Sequence, residues 1–483
     1  MQNRREFIKN LGFGGLATLI LPELLSANPS TVAWPSQALV DSWADVPSIL
    51  RRIKPPVFAK RDFAITEFGA VADGQTKCTA AVNAAIAACN KAGGGRVVVP
   101  AGTFLSGAIH LKSNVNLHLS AGATIKFSRD PTQYLPVVFS RWEGVELMNY
   151  SPFIYAFEQE NIAITGEGTL DGQADSESWW PWNGSSRPAY GWKAGNPNQR
   201  NDRKTLMGMA EKGTPVSERV FGAGHYLRPQ FIQPYRCQNV LIEGVTIRNS
   251  PMWEIHPVLC RNVIVSEVKI ISHGPNNDGC DPESCSDVLI KNCSFDTGDD
   301  CIAIKSGRNA DGRRLNVPSE NIIIQGCVMK DGHGGVTVGS EISGGVRNVF
   351  AENCKMDSPN LDRVLRIKNN AMRGGLIENI YMRNVDVGQV ADSIITIDFY
   401  YEEGEAGSFT PVVRNVGVSN VKSSKSKYAL YLRGFRRAPI TGLRVEDCTF
   451  DNVAQPNVLE NVREVTLRKV RINGKFADDR VSL

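Results

Sequence analysis

One short phrase recurs through the second half of the sequence and constrains its fold more than any other feature. The phrase is a turn residue, a short β-branched strand, a polar bend and a second short strand. Clear copies are "CQNVLIEGVTI" from residue 237, "CRNVIVSEVKI" from 260 and "CSDVLIKNCSF" from 285, so the tightest steps are 23 and 25 residues. Further copies begin at 319, 346 and 377, weaker ones at 413, 440 and 462, and echoes at 113 and 160. Self-similarity at such a period is typical of a solenoid.

The units of this repeat favour strands over helices. Asn, Gly and Asp turns separate strands of four or five residues, and helical periodicity is almost absent. We therefore predict an all-β protein, a right-handed parallel β-helix in which each phrase forms one coil. A chain of 483 residues would ordinarily form two or three domains, but a solenoid grows by stacking coils. One β-helix domain is thus expected over residues 61–483.

Two segments interrupt the repeat. The Ala-rich stretch 76–95 has apolar residues at helical spacing and ends in glycines, which predicts a helix that caps the N-terminal end of the stack. Residues 172–230 lack the repeat and are rich in Trp, Gly, Asn and Arg. We interpret them as a long loop excursion, and loops of that size are usually functional.

The first 27 residues resemble an export signal. Arg4 and Arg5 precede an apolar run at 11–20 and a small-residue end, and "RREFIK" is similar to a twin-arginine signal. A short amphipathic helix is the alternative. No later segment reaches the roughly 18 apolar residues of a membrane span. We expect an exported protein, periplasmic or extracellular, in which residues 28–60 form a linker or an arm along the β-helix.

Charge and cysteine content narrow the options further. A net charge of +4 without a long Lys/Arg run argues against a nucleic-acid partner. Most of the eleven cysteines lie in apolar strings, where free Cys behaves as a small core hydrophobe. Export nevertheless permits disulfides, and Cys280 with Cys285, or Cys78 with Cys89, are the candidate pairs. No CxxC pair is present, and we expect neither a metal nor a cofactor.

Two adjacent aspartates stand in a stretch that otherwise predicts a buried strand, "FDTGDDCIAIKSG" at 295–307. Asp299 and Asp300 would repel each other, and each costs free energy when it is buried without a partner. Neighbours in a strand also point to opposite faces. Because Thr297 and Gly298 are small, we predict a bend there that lets both acids face one cleft.

The coil period places further polar residues beside this pair. Asp278 lies 22 residues before Asp300, close to one coil, and His333 lies 33 residues after it. Arg366 and Lys368 follow after another lengthened coil. Since neighbouring strands are about 4.8 Å apart, three carboxylates, an imidazole and two cations would converge on one surface cleft.

Such a group of side chains suits the hydrolysis of a glycosidic bond. One carboxyl must protonate the leaving oxygen while another, ionised, activates water, and crowding of the acids raises at least one pKa. The two cations would pair with the carboxylate of an acidic sugar. Three alternatives stay open: turn caps or a calcium site, a lyase of the same fold, and a carbohydrate-binding β-helix without turnover.

The strings "NNDG", "TGDDC", "GHGG" and "RIK", in this order and on this repeat, resemble the four signatures of the polygalacturonases, glycoside hydrolase family 28. The resemblance extends over residues 61–470, and the phrases around the acids are more similar to the bacterial exo-acting branch. It implies inverting hydrolysis of α-1,4-galacturonosyl linkages in homogalacturonan, a pectin polysaccharide. Endo action, or another pectin hydrolase such as a rhamnogalacturonan hydrolase, is the alternative. We expect a monomer.

The match implies roles for six residues. Asp299 would be the general acid, Asp278 and Asp300 would hold and activate water, and His333 would tune the acid. Arg366 and Lys368 would bind the uronate carboxylate. Apart from the resemblance, we expect three further contacts with substrate: Asn276 beside the acids, Arg228 in the segment just before the catalytic coils, and Tyr400 or its neighbour Tyr401 one coil beyond Arg366.

Two positions depart from the family pattern. Asn277 stands where members often have Thr. Gly335 stands where a larger residue is commoner, which would reshape the subsite beyond His333. The excursion 172–230 and an insertion at 307–318 could block one end of the cleft, which predicts release of single residues or dimers from a chain end.

Overall fold

A computed structural model describes residues 42–477 and the backbone of 480–481. The predicted export signal at 1–27 and the first part of the 28–60 segment lie outside the described residues. Within them, strands pair in parallel from coil to coil and form three long sheets, which confirms the predicted parallel β-helix. None of the helices in residues 42–477 is both long and apolar enough to span a membrane.

The strands of each sheet follow one another along the stack. The first sheet contains Asp62–Ala64, Gly95–Val99, Val115–Leu119, Glu160–Gly166, Gln238–Glu243, Arg261–Ser266, Ser286–Lys291, Ser319–Gln325, Val346–Glu352, Leu376–Gln389, Val412–Lys425, Ile440–Glu446 and Val462–Arg468. The second contains Asp73–Lys77, Gly102–Ser106, Ala123–Phe127, Thr169–Asp171, Thr246–Arg248, Lys269–Ser272, Ser294–Thr297, Val328–Met329, Lys355–Met356, the later parts of Leu376–Gln389 and Val412–Lys425, Thr449–Phe450 and Arg471–Ile472.

The third sheet carries the cleft. It contains Ile109–His110, Ile154–Phe157, Ile232–Tyr235, single bridging residues at Ile255 and Cys280, then Ile302–Ile304, Val336–Val338, Arg363–Lys368, Ser393–Asp398, Tyr428–Arg433 and Val458–Glu460. Five strands lie outside this pattern. Val138–Trp142 and Val145–Asn149 form an antiparallel hairpin, and Val220–Phe221 pairs with its second strand. Near the C-terminal end, Lys475–Phe476 and Arg480–Val481 each pair antiparallel with a strand of the last coil.

The coils of the first sheet stay in register with one another, and this alignment builds the core of the stack. Val240 pairs with Val263, and Val263 pairs with Val288, so the same apolar positions point inward in each coil. All eleven cysteines are buried free thiols, which confirms the prediction for most of them as small core residues. Neither candidate disulfide forms. Cys280 lies in the third sheet, whereas Cys285 precedes a strand of the first sheet and stacks on Cys260 of the previous coil.

The polar residue at the third position of each phrase makes a ladder, which we call the asparagine ladder. Its members have φ between 55° and 59°, a left-handed conformation that Asn and Asp tolerate better than other side chains. Most side-chain amides donate to the side chain one coil earlier, for example at 2.9 Å from Asn379 to Asn348. Its members over these coils are Asn239, Asn262, Asp287, Asn321, Asn348, Asn379 and Asn415.

Four α-helices occur in the described part of the chain: Val46–Arg52, Thr79–Lys91, Arg200–Glu211 and Asn309–Leu315. The second is the predicted capping helix, and its buried face packs on the core. The first packs its apolar side chains on the outside of the first sheet, and Arg52 pairs with Asp287 of the ladder at 2.7 Å. The third and fourth lie within the excursion 172–230 and the insertion 307–318.

Candidate active site

The chain bends where the two aspartates stand. The second-sheet strand Ser294–Thr297 ends just before them, and the third-sheet strand Ile302–Ile304 begins just after. Gly298 is needed at this bend, because a Cβ atom there would lie 2.4 Å from the carbonyl oxygen of Gly274 in the previous coil. The sequence-based expectation of a bend is therefore confirmed, and both acids reach the same side of the stack.

Consecutive coils stack these bends in register. The amide of Asp299 donates to the carbonyl of Asn277 at 3.2 Å, and the amide of His333 donates to the carbonyl of Asp299 at 3.1 Å. One carboxylate oxygen from each of Asp278, Asp299 and Asp300 lies within 4.8 Å of the other two. The structure thus brings together the three acids, which we call the carboxylate trio, and the histidine.

Asp300 is held as an anion beneath the cleft. Lys368 Nζ lies 2.8 Å from one carboxylate oxygen, and Arg366 Nη1 and Thr337 Oγ1 lie 3.1 and 3.0 Å from the other. Burial alone would raise the pKa of Asp300, but the two cations outweigh it and hold the pKa well below its usual range. The predicted uronate binders Arg366 and Lys368 are therefore engaged with a carboxylate of the site itself.

Asp299 and His333 form a second pair at the cleft surface. His333 Nδ1 lies 2.9 Å from Asp299 Oδ1. Burial raises the pKa of Asp299, but the hydrogen bond and charge of His333 outweigh it and lower the pKa below its usual value. The same contact raises the pKa of His333. In the free protein the proton of this pair therefore lies on the imidazole.

Asp278 has the opposite tendency. It is 3% exposed, and burial, followed by the charges of Asp281 and Asp299, raises its pKa well above the usual value. Lys305 Nζ lies 3.7 Å from Asp278 Oδ2 and opposes this rise. Sequence reasoning missed Lys305, although it lies within the quoted stretch "FDTGDDCIAIKSG". The signal was a lone lysine at the end of an apolar strand that the bend turns toward the acids.

The cleft beside the trio has a volume of about 380 Å³, and small-molecule sites commonly span about 300–1,000 Å³. Part of its lining is an ion-pair network that we call the ionic wall. Arg308 is the centre of the network, with carboxylates of four side chains 3.2 to 3.5 Å away. The wall comprises Glu143, Arg203, Arg308, Glu341, Glu402 and Glu403.

The remaining predicted contacts divide between the cleft and its support. Asn276 lines the cleft, but Arg228 is fully buried below it. The Arg228 guanidinium donates to the carbonyl of Pro275 at 2.6 Å and to Asn276 Oδ1 at 2.7 Å. The structure therefore places Arg228 where it supports the turn that carries Asn276, because its donors are already used by protein acceptors.

Of the two adjacent tyrosines, Tyr401 lies in the cleft and Tyr400 does not. The Tyr400 ring packs on Phe435 and under the guanidinium of Arg433, 4.4 Å from the ring centroid. The Lys368 ammonium lies 5.2 Å from the centroid of the Tyr401 ring. Tyr401 is thus the member of this pair that can contact a ligand in the cleft.

Asn277 and Gly335, the two residues that depart from the family pattern, both have structural roles. Asn277 is fully buried and accepts hydrogen bonds from Ser272 Oγ and the Gly274 amide, which shapes the turn before Asp278. A Cβ at Gly335 would meet Met356 Sδ at 2.5 Å, so this residue faces the core. The expectation that Gly335 reshapes a subsite is therefore wrong.

The trio also offers the oxygen ligands that a hard cation prefers. These carboxylates already pair with cationic side chains of the protein, however, because Arg366 and Lys368 contact Asp300, and Lys305 lies near Asp278. We assign no metal to the site.

A parallel β-helix that brings a proton-carrying pair and two further acids to one cleft defines a class, the β-helical glycoside hydrolases. The sequence model of "Glycosyl hydrolases family 28" matches residues 222–468, and that of "Rhamnogalacturonase A/epimerase, pectate lyase-like" proteins matches residues 63–129. The chain belongs to glycosyl hydrolase family 28.

Individual proteins that are similar to this chain are named as polygalacturonases or galacturonosidases. A hyperthermoactive exopolygalacturonase from Thermotoga maritima has a solved structure that is 49% identical, with a TM-score of 0.88 over 90% of this chain and 97% of that chain. A probable polygalacturonase from Vitis vinifera is 28% identical over 412 residues, 81% of this chain and 74% of that protein. An exo-poly-alpha-D-galacturonosidase from Dickeya chrysanthemi is 29% identical over 362 residues, 72% of this chain and 58% of that protein.

Proposed function

We propose that the protein is an exo-acting polygalacturonase, an inverting hydrolase of the α-1,4-galacturonosyl linkages of homogalacturonan. The observation that carries the proposal is the carboxylate trio in a cleft, with one acid paired to a histidine and another to two cations. Family membership supports hydrolysis. The name of the Thermotoga maritima relative supports the substrate and the exo mode.

Asp299 is the general acid in this proposal. Its side chain is 20% exposed, against 4% for Asp278 and 0% for Asp300, so it is the acid that can reach a leaving oxygen. The Asp299–His333 pair holds one transferable proton, so the imidazolium first returns that proton to Asp299, and Asp299 then gives it to the leaving oxygen. His333 ends the step neutral.

The other two acids act on the water. Asp300 stays ionised beside its two cations and accepts a hydrogen bond from the water. Asp278 has the higher proton affinity, so once ionised it is the stronger base and takes the proton of the attacking water. All three acids are aspartates, so their different roles follow from burial and neighbouring charge and not from residue type.

The stereochemical course needs its own experiment. Oxygens within 4.8 Å are closer than the about 6.5–9.5 Å usual between the two carboxyls of an inverting enzyme. Inversion therefore rests on the family resemblance and on the presence of a third acid. Proton NMR of the first product formed from a galacturonate oligomer tests it: a new β-anomer supports inversion, and a new α-anomer contradicts it.

We also propose that the ionic wall closes one end of the cleft, so that a chain enters by its terminus. Early digestion of polygalacturonate should then release single galacturonates or dimers. A ladder of mid-size oligomers at early times would contradict the exo mode. A product that absorbs in the ultraviolet through a new double bond would instead indicate a lyase, and binding without turnover would indicate a carbohydrate-binding protein.

For location, we propose export through the twin-arginine-like start of the chain. The basic pair, the short apolar run and the small-residue end of residues 1–27 support it. In a bacterial host, replacing both Arg4 and Arg5 by Lys should leave the full-length chain inside the cytoplasm. Unchanged release into the periplasm would contradict the proposal.

A further inference from the structure

We propose that Lys305 is a positioning residue of the hydrolytic site: its ammonium group supplies the positive charge that allows Asp278 to act as an ionised, water-activating carboxylate. The inference rests on the function proposed above and adds to it a residue outside the carboxylate trio.

The first argument is the position of the ammonium group. Lys305 Nζ lies 3.7 Å from Asp278 Oδ2, 3.7 Å from Asp281 Oδ1 and 3.2 Å from Glu341 Oε2, and 4.3 Å from the ring centroid of Trp253. The Lys305 side chain is 3% exposed. A buried ammonium is retained only where carboxylates pair with it, and one of those carboxylates is a member of the trio.

The second argument is the balance of charge around Asp278. Asp300 has Arg366 and Lys368, and Asp299 has His333. Lys305 is the cation found within 4 Å of Asp278 in the described part of the chain. The charged and titratable groups that act on Asp278 from its own and the adjoining coils are Glu254, Asp281, Asp299, Asp300, Arg228 and Lys305.

The other groups around Asp278 do not supply the positive charge that Lys305 supplies. Glu254 and Asp281 are neutral when protonated and negative when ionised, so neither supplies a positive field to Asp278, and burial raises the pKa of both. Arg228 donates to carbonyl and amide oxygens below the turn. Lys305 also pairs with Glu341 Oε2 at 3.2 Å, but the other oxygen of Glu341 lies 3.4 Å from Arg308. Glu341 therefore does not depend on Lys305 alone, whereas Lys305 is the cation within 4 Å of Asp278 among the described residues.

The test is the ionisation of Asp278 with and without this charge. The infrared band of protonated carboxyl groups is followed against pH, and its difference from Asp278→Asn isolates the Asp278 titration. In Lys305→Met the titration should move to higher pH by roughly one to three pH units, the effect of a unit charge at about 4 Å under strong to moderate screening. Lys305→Arg, which keeps the charge, should return most of the shift. The acid limb of kcat/KM on polygalacturonate should move in the same direction.

Two further variants separate this role from structural damage. Glu341→Gln removes a competing carboxylate, so the Asp278 titration should move to lower pH. Arg219→Met is the matched control, because it also leaves a buried partner, Asp311, without its 2.9 Å ion pair; it should lower stability and leave the Asp278 titration unchanged. An unshifted titration in Lys305→Met overturns the inference. The infrared measurement needs no substrate, so it decides the role of Lys305 even if polygalacturonate is not hydrolysed.

Discussion

Asp299 differs from its neighbours in the trio by facing the cleft while contacting a proton carrier. We therefore predict that Asp299→Asn lowers kcat on polygalacturonate by about 10²- to 10⁴-fold, the usual contribution of a general acid, with little change in thermal stability. Asp296→Asn is the control, since Asp296 precedes the same bend but pairs with His273 outside the cleft lining and should keep the parental rate. Release of reducing ends measures both. A parental rate in Asp299→Asn would show that another group protonates the leaving oxygen.

His333 should set the alkaline limb of the pH profile. The active form needs the proton of the Asp299–His333 pair, and the raised pKa of His333 keeps that proton until the pH rises above the usual range of histidine near 6.5. In His333→Asn the amide still donates to Asp299, but the proton must lie on the carboxyl, which loses it at lower pH. The alkaline limb of kcat/KM should therefore move to lower pH. An alkaline limb that stays in place would assign it to another group.

The residues that sequence reasoning could find are those that the coil period aligns. Asp278, Asp299 and His333 recur near multiples of one coil, and their residue types point to acid–base chemistry. Their pKa order could not be predicted, because it depends on burial and on cations from later coils. Lys305 escaped notice for the same reason, since its partner Glu341 stands 36 residues further along the chain.

At the scale of elements, the asparagine ladder explains why one polar position recurs in the repeat. The sequence showed the recurrence, but only the backbone shows its cause, a left-handed residue at every coil. At Asp287 the ladder has an acid that cannot donate, and here Arg52 of the first helix docks. The sequence did not reveal the hairpin at 138–149 or the helix Arg200–Glu211, because neither belongs to the repeat and their packing partners are far away in the sequence.

The ladder should contribute measurably to stability. Asn379 donates to Asn348 at 2.9 Å and accepts from Asn415 at 2.6 Å, with φ at 59°. Asn379→Ala loses both hydrogen bonds and strains the backbone, so we predict a fall of about 2–4 kcal/mol in the free energy of unfolding. Asn379→Gly relieves the strain and should lose about 1 kcal/mol less. Denaturant unfolding measures both, and equal losses would contradict the conformational argument.

At the scale of the whole molecule, the ionic wall is built from segments that are far apart in the sequence. The hairpin at 138–149 brings Glu143, the helix Arg200–Glu211 brings Arg203, and later coils bring Arg308 and Glu402. Excursions from separate coils of the stack therefore meet at one place. The sequence located two of these insertions, but it could not show that their charges would interlock.

Arg308 links the parts of this wall, because it lies within 3.5 Å of all four carboxylates. Each carboxylate has a second cation, in Arg203, Lys305 or Arg373, so loss of Arg308 leaves their mutual repulsion only partly compensated. We predict that Arg308→Ala opens the end of the cleft, so that polygalacturonate chains pass through and early products include oligomers longer than dimers. Arg308→Lys keeps the charge and should keep the parental pattern of short products, at a lower rate because Lys lacks the forked donor geometry. High-resolution anion-exchange chromatography of the first products distinguishes the two. If Arg308→Ala still releases only monomers and dimers, the wall does not determine the exo mode, and the end of the cleft must be closed by the backbone of the surrounding loops.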